Sequence, residues 1–402
     1  MMNLLNLKTC TRGALALSLS ASMLACGDDG PQENTEPELL PQTISEDMVL
    51  TDIVPDPSLP DYVVTESVTL RATLRVDPGV NVQFSRTTRL TVDGENGGAL
   101  DSRGSQDKPI KFTGEDKAKG AWDGIHFVSS TSSQNNLRWT IVEFAGDDAF
   151  RDGLRAANLS LDAGSTLFIS NSTIRESARY GIEVTPDSAL TGFSQNTFEG
   201  NFDYAMRLPA EEVGKIDRNS TFSGSTFEAG VETYGGNITS SATWKPLSND
   251  APIAVTDTVV VQDRLDLEPG TRILFDEFIG MTIDGENGGV LVSLGTEADN
   301  VLMSRLGDVV WKGLYLDGVD SNQSRMEYTT IEYAGFSEYD DTPKANLTIG
   351  GATGTSTMVV LDSTFAYSQG AGIAIAPGST VNEDVEEVNS FVDNAAADVI
   401  FP

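Results

Sequence analysis

Two identical acidic hexapeptides are the first candidates for chemistry in this sequence. Asp-Gly-Glu-Asn-Gly-Gly occupies positions 93–98 and again positions 284–289. Two carboxylates and an amide oxygen on a glycine-rich turn are the kind of ligands that Ca²⁺ prefers, although the spacing is not that of an EF-hand. With Ca²⁺ as the candidate cofactor, the candidate metal ligands are Asp93, Glu95, Asn96, Asp284, Glu286 and Asn287. A tight turn that uses the positive-φ tolerance of glycine and asparagine explains the same residues, and we favour the turn.

Catalysis through histidine has little support in the sequence. His126 is the single histidine, which excludes a multi-histidine metal site, and no motif suggests a Ser-His-Asp triad around it. Alternation in Gly124-Ile125-His126-Phe127 points the apolar residues inward and predicts a solvent-exposed His126. The acidic pairs at 147–148 and 340–341 lie in polar loops, where adjacent carboxylates are usually solvated. We therefore assign no catalytic residue and favour a binding protein over an enzyme.

Four tyrosines that could be exposed offer a second kind of site. Aromatic rings on one face of a protein can form a platform on which sugar rings stack. The same rings can instead fill the interior of the fold, and the sequence does not separate these two alternatives. The four residues are Tyr180, Tyr204, Tyr315 and Tyr333.

The overall charge excludes one class of partner. The chain has 60 acidic and 26 basic residues, which gives a formal net charge of -34. Nucleic acid is excluded, because neutralising phosphates requires clustered lysine and arginine. Anionic polysaccharide is repelled as well unless divalent cations bridge the two surfaces. The acidic residues are spread along the whole chain, which favours a role in solubility.

The positions of these candidates depend on an internal duplication. The segment 64–84, VTESVTLRATLRVDPGVNVQF, reappears at 255–275 as VTDTVVVQDRLDLEPGTRILF, a displacement of 191 residues (255 minus 64). The register continues through the acidic hexapeptides and, past a two-residue difference, through Trp-x-Gly at 122–124 and 311–313 and Glu-aromatic-Ala-Gly at 143–146 and 332–335. One unit of roughly 190 residues therefore occurs twice.

Within each unit the hydrophobic pattern is that of β-strands. Apolar residues alternate with polar ones in runs of four to six, bounded by Gly, Asn, Asp and Pro, and no window has a convincing helical stripe. A shorter period lies inside the unit, since Tyr180-Gly181-Ile182 returns as Tyr204-Ala205-Met206 after 24 residues (204 minus 180). One solenoid coil of three short strands and three turns needs about that length.

These motifs resemble the right-handed parallel β-helix of the pectin-lyase-like superfamily, in particular the repeat β-helix lipoproteins of Gram-negative bacteria. The resemblance rests on the strand, Pro-Gly, strand opening, on Trp-x-Gly-aliphatic, and on the repeated Asn/Ser-x-Thr-aliphatic coils, from about residue 45 to the end. It implies an all-β, right-handed parallel β-helix solenoid built from two tandem related units. It does not specify an activity, because this fold hosts lyases, hydrolases, adhesins and passive scaffolds.

The resemblance also allows a check against the enzymes of the superfamily. Polygalacturonases have paired aspartates, a histidine-containing turn and an Arg-Ile-Lys stretch, and that combination does not occur here. Pectate lyases use a Ca²⁺-binding acidic cluster with an arginine base. The resemblance would allow any of several arginines to be this base, and nothing in the sequence selects among them. They are Arg86, Arg138, Arg151 and Arg325.

The first residues predict export and lipidation. Residues 1–25 read as a lipoprotein signal peptide, with Lys8 and Arg12 before an uncharged, mostly apolar stretch. Met23-Leu24-Ala25-Cys26 resembles a bacterial lipobox, which makes Cys26 the lipidation site. An acidic, proline-rich tether is predicted over 26–44, because like charges and low hydrophobicity keep such a segment extended. The β-helix units are predicted over 45–235 and 236–402, either stacked end to end or separated by a joint near Gly235-Gly236.

These observations lead to one main hypothesis and two alternatives. The main hypothesis is a membrane-anchored cell-envelope β-helix lipoprotein that acts as a non-enzymatic scaffold or adhesin-like binding module. The first alternative is a Ca²⁺-dependent polysaccharide lyase or another polysaccharide-acting enzyme, and the second is a subunit whose last coil caps a β-edge of another protein. The expected partners are the membrane, through the anchor, and a polysaccharide or another envelope protein. Gly27 after Cys26 favours anchoring to the outer membrane, on its periplasmic or cell-surface side.

Overall fold

Short apolar runs separated by tight turns fold into strands of two to six residues along nearly the whole described chain. The computed structural model describes residues 36–225, 230–319, 323–351 and 354–401. Most strands pair in parallel with the strand three places later in the chain rather than with their sequence neighbour, and near the middle β19 pairs with β21 and β20 with β22. The chain therefore winds as a parallel β-helix solenoid, and the fold class predicted from the sequence is confirmed.

Elements are numbered in chain order. The strands of the first part are β1 (Glu38–Leu39), β2 (Thr43–Ile44), β3 (Met48–Leu50), β4 (Tyr62–Val64), β5 (Val68–Leu70), β6 (Thr73–Val76), β7 (Asn81–Phe84), β8 (Arg89–Asp93), β9 (Ala99–Arg103), β10 (Ile110–Gly114), β11 (Gly124–Val128), β12 (Asn136–Arg138), β13 (Thr140–Glu143), β14 (Ala157–Asp162), β15 (Thr166–Ser170), β16 (Thr173–Arg175), β17 (Tyr180–Val184), β18 (Ala189–Ser194), β19 (Thr197–Glu199), β20 (Met206–Leu208), β21 (Thr221–Ser223) and β22 (Val231–Thr233).

The strands of the second part follow without interruption. They are β23 (Gly236–Ile238), β24 (Ala242–Trp244), β25 (Ile253–Val255), β26 (Val259–Val261), β27 (Arg264–Leu267), β28 (Arg272–Phe275), β29 (Gly280–Asp284), β30 (Val290–Leu294), β31 (Val301–Arg305), β32 (Gly313–Asp317), β33 (Arg325–Glu327), β34 (Thr329–Glu332), β35 (Ala345–Ile349), β36 (Thr357–Leu361), β37 (Thr364–Ala366), β38 (Ala371–Ile375), β39 (Thr380–Val381), β40 (Ser390–Val392) and β41 (Val399–Ile400).

Helical segments are short and few in these ranges. The α-helices are α1 (Ala210–Val213) and α2 (Val385–Val388), and single 3₁₀ turns occur at Gly94–Asn96, Ser248–Asp250 and Gly285–Asn287. Across the residues that the structure describes, no helix has the length and the apolar character that crossing a bilayer requires.

One sheet runs the full length of the described solenoid. This long sheet has 14 strands, from β2 through β20, β22 and β25 to β40. The first part is completed by an eight-stranded sheet, β1 to β21, and a six-stranded sheet, β3 to β18. The second part is completed by a seven-stranded sheet, β23 to β41, and a six-stranded sheet, β24 to β39.

The interior is one continuous apolar core formed by the inward residue of nearly every strand. Aromatic rings stack between coils in both copies of the repeat. Phe84 and Trp122 have ring centroids 4.0 Å apart, and their counterparts Phe275 and Trp311 are 4.1 Å apart. All four side chains are fully buried, so the duplicated Trp-x-Gly motif marks a packing position inside the solenoid.

Buried asparagines satisfy the backbone at the corners where the chain turns from one sheet to the next. The side-chain oxygen of Asn196 accepts from the amide of Ser172 at 3.1 Å, and its Nδ2 donates to the carbonyl of Ile169 at 3.2 Å. In the same coil, Asn201 Oδ1 accepts from the amide of Ser177 at 3.1 Å. Each asparagine thus links its own coil to the preceding one, which explains the 24-residue spacing of these motifs.

The solenoid begins earlier than the sequence predicts. Strand β1 pairs with β4, and β2 pairs with β5, so residues 38–44 belong to the first coil and not to an extended tether. Leu40 and Ile44 are buried in the core, which outweighs the extending effect of the acidic and proline residues around them. The signal peptide, Cys26 and the rest of the predicted tether up to residue 35 lie outside the described residues.

The two copies stack end to end. The long sheet passes through the predicted joint, because β20 pairs with β22 and β22 pairs with β25. Gly235 and Gly236 adopt φ values of 76° and 97° at the corner between β22 and β23. Only a turn of the coil, and no separation of the two units, occurs at these glycines.

Equivalent strands of the two copies do not lie in the same sheet. Strand β4 belongs to the eight-stranded sheet, but its counterpart β25, 191 residues later (253 minus 62), belongs to the long sheet. Similarly, β5 and β11 lie in the long sheet, whereas their counterparts β26 and β32 lie in the seven-stranded sheet. The second copy is therefore turned about the solenoid axis by one side relative to the first.

The buried asparagines at the corners lead to a prediction about stability. Replacing Asn196 with Ala leaves the amide of Ser172 and the carbonyl of Ile169 without their partners in a buried position. We expect the free energy of unfolding to fall by about 2–4 kcal/mol, measured by urea denaturation. The control is the exposed Asn219→Ala variant, for which we expect a change within about 0.5 kcal/mol. Equal stability of the two variants would contradict this role of Asn196.

Candidate functional site

The two acidic hexapeptides form the same compact turn in both copies. Asp93 Oδ2 accepts from Asn96 Nδ2 at 2.7 Å, and Asp284 Oδ2 accepts from Asn287 Nδ2 at the same distance. The fifth residue of each motif, Gly97 or Gly288, has a φ of 88° or 94°. The aspartate and the asparagine therefore hold the turn together by bonding to each other.

Close packing between coils explains why the remaining glycines are repeated. A Cβ atom on Gly94 would lie 2.1 Å from the carbonyl oxygen of Ser129, and one on Gly98 would lie 2.1 Å from that of Leu70. The equivalent glycines of the second copy meet backbone oxygens at 2.2 and 2.3 Å. No side chain other than hydrogen fits these contacts, so the folding of the solenoid alone accounts for the glycines of both copies.

The proposed Ca²⁺ ligands stay a prediction. Glu95 and Glu286 are exposed beside these turns, whereas one oxygen of each aspartate is engaged by its asparagine. Within the described ranges, no group of three or more His, Cys, Asp or Glu side chains is placed to hold a metal ion. The geometry is explained by the turn, which is the interpretation that the sequence favoured.

His126 is not solvent-exposed, and the prediction from alternation is wrong on this point. Its side chain does project outward from β11 in the long sheet, but only 7% of the residue is exposed. The ring of Phe150 stacks on it with centroids 4.5 Å apart, and His126 Nε2 lies 3.5 Å from Asp162 Oδ2. Burial under this ring lowers the pKa of His126, against the opposing effect of Asp162.

Phe150 belongs to a loop that folds over the outer face of the long sheet. The loop covers residues 144–156 between β13 and β14, and the neighbouring Arg151 fastens it there. Arg151 donates from Nε and Nη2 to the two oxygens of Asp162, both at 2.6 Å. Alternation predicts which way a strand residue points, but not whether a distant loop covers it.

The second copy has the same arrangement with different residues. Tyr315 takes the place of His126, and Tyr339 from the loop 333–344 stacks on it with centroids 4.1 Å apart. The Tyr339 hydroxyl donates to Asp317 Oδ2 at 3.0 Å. In both copies, therefore, a loop covers an outward aromatic side chain and bonds to an aspartate. We call it the covering loop.

The four tyrosines nominated from the sequence all stack on another aromatic ring. Tyr180 and Tyr204 stack on each other, with centroids 6.4 Å apart, in a small cluster outside the main core. Tyr333 has Tyr367 at 4.8 Å on one side, and the Arg305 guanidinium carbon lies 3.9 Å from the centre of its ring. Tyr180, Tyr204 and Tyr315 are buried outside the main core and so present no open stacking platform, whereas Tyr333 is half-buried.

A row of polar side chains follows the outer face of the long sheet under and beside the first loop. Strand pairing places His126, Ser160, Glu183, Arg207 and Glu232 in register on successive strands. Sequence reasoning did not select the last three. Their signal is a charged residue at the same outward position of successive coils, at spacings of 24 (207 minus 183) and 25 (232 minus 207) residues.

Arg207 joins the two glutamates of this row. Its Nη1 lies 2.8 Å from Glu183 Oε1, and its Nε lies 3.1 Å from Glu232 Oε1. The other oxygen of Glu232 accepts from the Tyr180 hydroxyl at 2.7 Å. The ring of Tyr234 covers the guanidinium, whose carbon lies 4.2 Å from the ring centre. Four buried or half-buried side chains therefore fix the orientation of Arg207.

Glu183 is the least satisfied member of this group. Only 2% of the residue is exposed, and its Oε2 has no hydrogen-bond partner among the described residues. Burial raises the pKa of Glu183 to about 7, despite the opposing effect of Arg207. A buried carboxyl that titrates near neutrality can accept a hydrogen bond, donate one, or transfer a proton.

Two clefts open beside the loop 144–156. The first, of about 380 Å³, has Glu183 and Arg207 in its wall, with Arg151, Asp162 and Tyr234 around them. The second, of about 410 Å³, is lined by another charged and aromatic set, Arg155, Arg179, Tyr180 and Asp203. Both volumes lie within the range of small-molecule sites, and both walls combine donors and acceptors. We refer to the first as the Glu183 cleft.

Comparison with known proteins adds no assignment for this site. No protein-family model, no curated protein and no solved structure matches the chain at a significant level. The site is therefore interpreted from its own chemistry.

The raised pKa of Glu183 predicts a specific pH dependence of stability. The unfolded carboxyl loses its proton near the ordinary pKa of 4.5 and the folded one near 7, so the folded state binds the extra proton between these values. Relative to the Glu183→Gln variant, the wild-type free energy of unfolding should fall as the pH rises through this window, by up to about 3 kcal/mol. Urea denaturation at several pH values measures the difference.

The exposed Glu199→Gln variant controls for the loss of one carboxylate. A constant difference between wild type and Glu183→Gln from acid to neutral pH would contradict the raised pKa of the buried Glu183.

Proposed function

We propose that this protein is a non-enzymatic, adhesin-like binding module of the cell envelope and that the Glu183 cleft holds a neutral saccharide. The observation that carries the proposal is Glu183, a residue of the cleft wall whose buried Oε2 has no protein partner among the described residues. A buried acceptor without a partner costs free energy, so a ligand that donates to it gains the corresponding stabilisation.

The other groups of the cleft fit a polyhydroxyl ligand. Arg151, Arg207 and Tyr234 provide fixed donors and an aromatic surface, and Asp162 and Asp187 provide acceptors at the same opening. Each sugar hydroxyl both donates and accepts, and it can therefore satisfy an alternating set of this kind. The net charge of -34 works against an anionic ligand, which favours neutral sugars over uronic acids.

An enzyme acting on polysaccharide is the second candidate. The specific observation in its favour is a glutamate with a pKa of about 7 in a cleft, which suits general acid or base catalysis. A Ca²⁺-dependent lyase is one form of this candidate, with the two acidic hexapeptides as its metal sites. We favour a binding module, because Arg207 holds one Glu183 oxygen at 2.8 Å and Arg151 holds both oxygens of the neighbouring Asp162 at 2.6 Å.

The proposed location follows from the start of the sequence. Residues 1–25 would direct export, and acylation of Cys26 would hold the solenoid at the outer membrane, with the remaining residues before 36 as a short tether. Several acyl chains give firm membrane attachment, at about 0.8 kcal/mol for each buried CH₂ group. Membership of the pectin-lyase-like superfamily and of its repeat lipoproteins is part of this proposal, supported by the parallel β-helix and the duplication.

Binding of a panel of neutral hexasaccharides, with an oligogalacturonate of equal length as the anionic comparison, tests the function. We expect saturable binding of at least one neutral member by calorimetry and a loss of about tenfold in affinity for Glu183→Ala. Glu199→Ala is the matched control and should bind like wild type. No saturable binding, or binding that is unchanged in Glu183→Ala, would reject the proposal. If the protein cleaves the oligosaccharides into shorter fragments, either with Ca²⁺ or with chelator present, it is the polysaccharide-acting enzyme instead.

The anchor has a separate test. In a Gram-negative host, we expect the Cys26→Ala chain to lose incorporation of labelled palmitate and to leave the membrane fraction, because no other cysteine remains after residue 25. A Cys10→Ala chain is the matched control and should remain labelled. Palmitate on the Cys26→Ala chain would contradict the lipobox.

A further inference from the structure

A cleft of about 540 Å³ lies in the second copy, beside the loop 333–344. Its lining includes Asp340 and Asp341 from that loop, Ala376 and Pro377 from the turn after β38, and Ile400 from β41. Nothing in the proposed saccharide site uses these residues.

This cleft is the counterpart of the Glu183 cleft. Both are bounded by the covering loop, by the turn after the strand that follows this loop, and by a proline-containing turn one coil later. The prolines of that last turn, Pro186 and Pro377, are 191 residues apart (377 minus 186), and the turns themselves read Thr-Pro-Asp-Ser and Ala-Pro-Gly-Ser. The duplication has therefore kept the cleft and its walls.

The floor of the cleft has changed from charged to apolar. Glu183 pairs with Arg207 across β17 and β20, and the equivalent pair across β38 and β41 is Ala374 with Ile400. Ile375 and Ile400 both line the second cleft. The buried ion pair of the first copy is thus replaced by side chains that cannot bond to hydroxyl groups.

One position of the rim has reversed its charge. Asp340 stands where the first copy has Arg151, 189 residues earlier (340 minus 151), and Asp341 follows it at the same opening. Arg151 is neutralised by a bidentate bond to Asp162, whereas the exposed Asp340 and Asp341 have no ion pair with a lysine or arginine among the residues that the structure describes. An apolar floor beneath two carboxylates favours a cation attached to an apolar body.

We propose that the second cleft binds a small organic cation with an apolar body, such as an alkylammonium group, on a different side of the solenoid from the saccharide. The second cleft lies on the seven-stranded sheet, whereas the Glu183 cleft lies on the long sheet. The inference does not depend on the ligand proposed for the first cleft, because the two clefts share no lining residue.

Hexylammonium, hexanol and hexanoate test the proposal on the purified full-length protein, because they share the apolar body and differ in charge. We expect saturable binding of hexylammonium by saturation-transfer NMR and calorimetry, with affinity falling from hexylammonium to hexanol to hexanoate. In the Asp340→Asn/Asp341→Asn variant, hexylammonium affinity should fall by about fivefold, in line with the modest strength of exposed charges. Both substitutions lie on an exposed loop, so thermal unfolding should stay unchanged.

Glu199→Gln is the control for the loss of an exposed carboxylate, since Glu199 lines neither cleft, and it should leave hexylammonium binding unchanged. A second variant, Ala376→Phe, fills the second cleft and should abolish binding of hexylammonium while the far-UV circular dichroism spectrum remains that of the folded wild type. The proposal is overturned if hexanoate binds as well as hexylammonium, if no saturable binding occurs, or if Ala376→Phe binds hexylammonium like wild type.

Discussion

The structure depends on one constraint, which is that no coil of the solenoid is complete by itself. Most strands form their ladder hydrogen bonds with the coils before and after them, and the inward side chains of successive coils join into one core. Backbones consequently approach closely at every corner. The stacking of coils explains glycines such as Gly98, where a Cβ would lie 2.1 Å from the carbonyl oxygen of Leu70. It also explains the buried corner asparagines such as Asn196, which bond to the backbone of the preceding coil.

The fold could be predicted from the sequence because repeated local sequence patterns specify its strands and coils. Period-two alternation predicted the strands, the 24-residue step predicted the coils, and the two copies of Trp-x-Gly marked equivalent packing positions at Trp122 and Trp311. The start of the solenoid was placed too late because 36–44 was judged together with the acidic, proline-containing residues before it as one tether over 26–44. Buried Leu40 and Ile44 are too few to stand out in that composition, but they suffice once strands β4 and β5 pair with the strands beside them.

The candidate site was much less accessible to sequence reasoning. Glu183, Arg207 and Glu232 are each ordinary residues in their own coil, and they become a group only when the pairing register places them side by side. His126 shows the opposite problem, since its outward direction was predicted correctly but Phe150, 24 residues later (150 minus 126), covers it. Contacts between loops and strands of different coils depend on tertiary packing, which local periodicity does not encode.

The turn of the second copy by one side has a consequence for how such a protein diversifies. A duplicated unit containing a whole number of coils would repeat every surface feature along one straight line. This unit instead ends one side short of or beyond a whole coil. A copied cleft therefore faces a different direction around the solenoid axis before any residue is substituted. Tandem duplication in this solenoid thus has screw symmetry, and each added unit presents its inherited surface in a different direction.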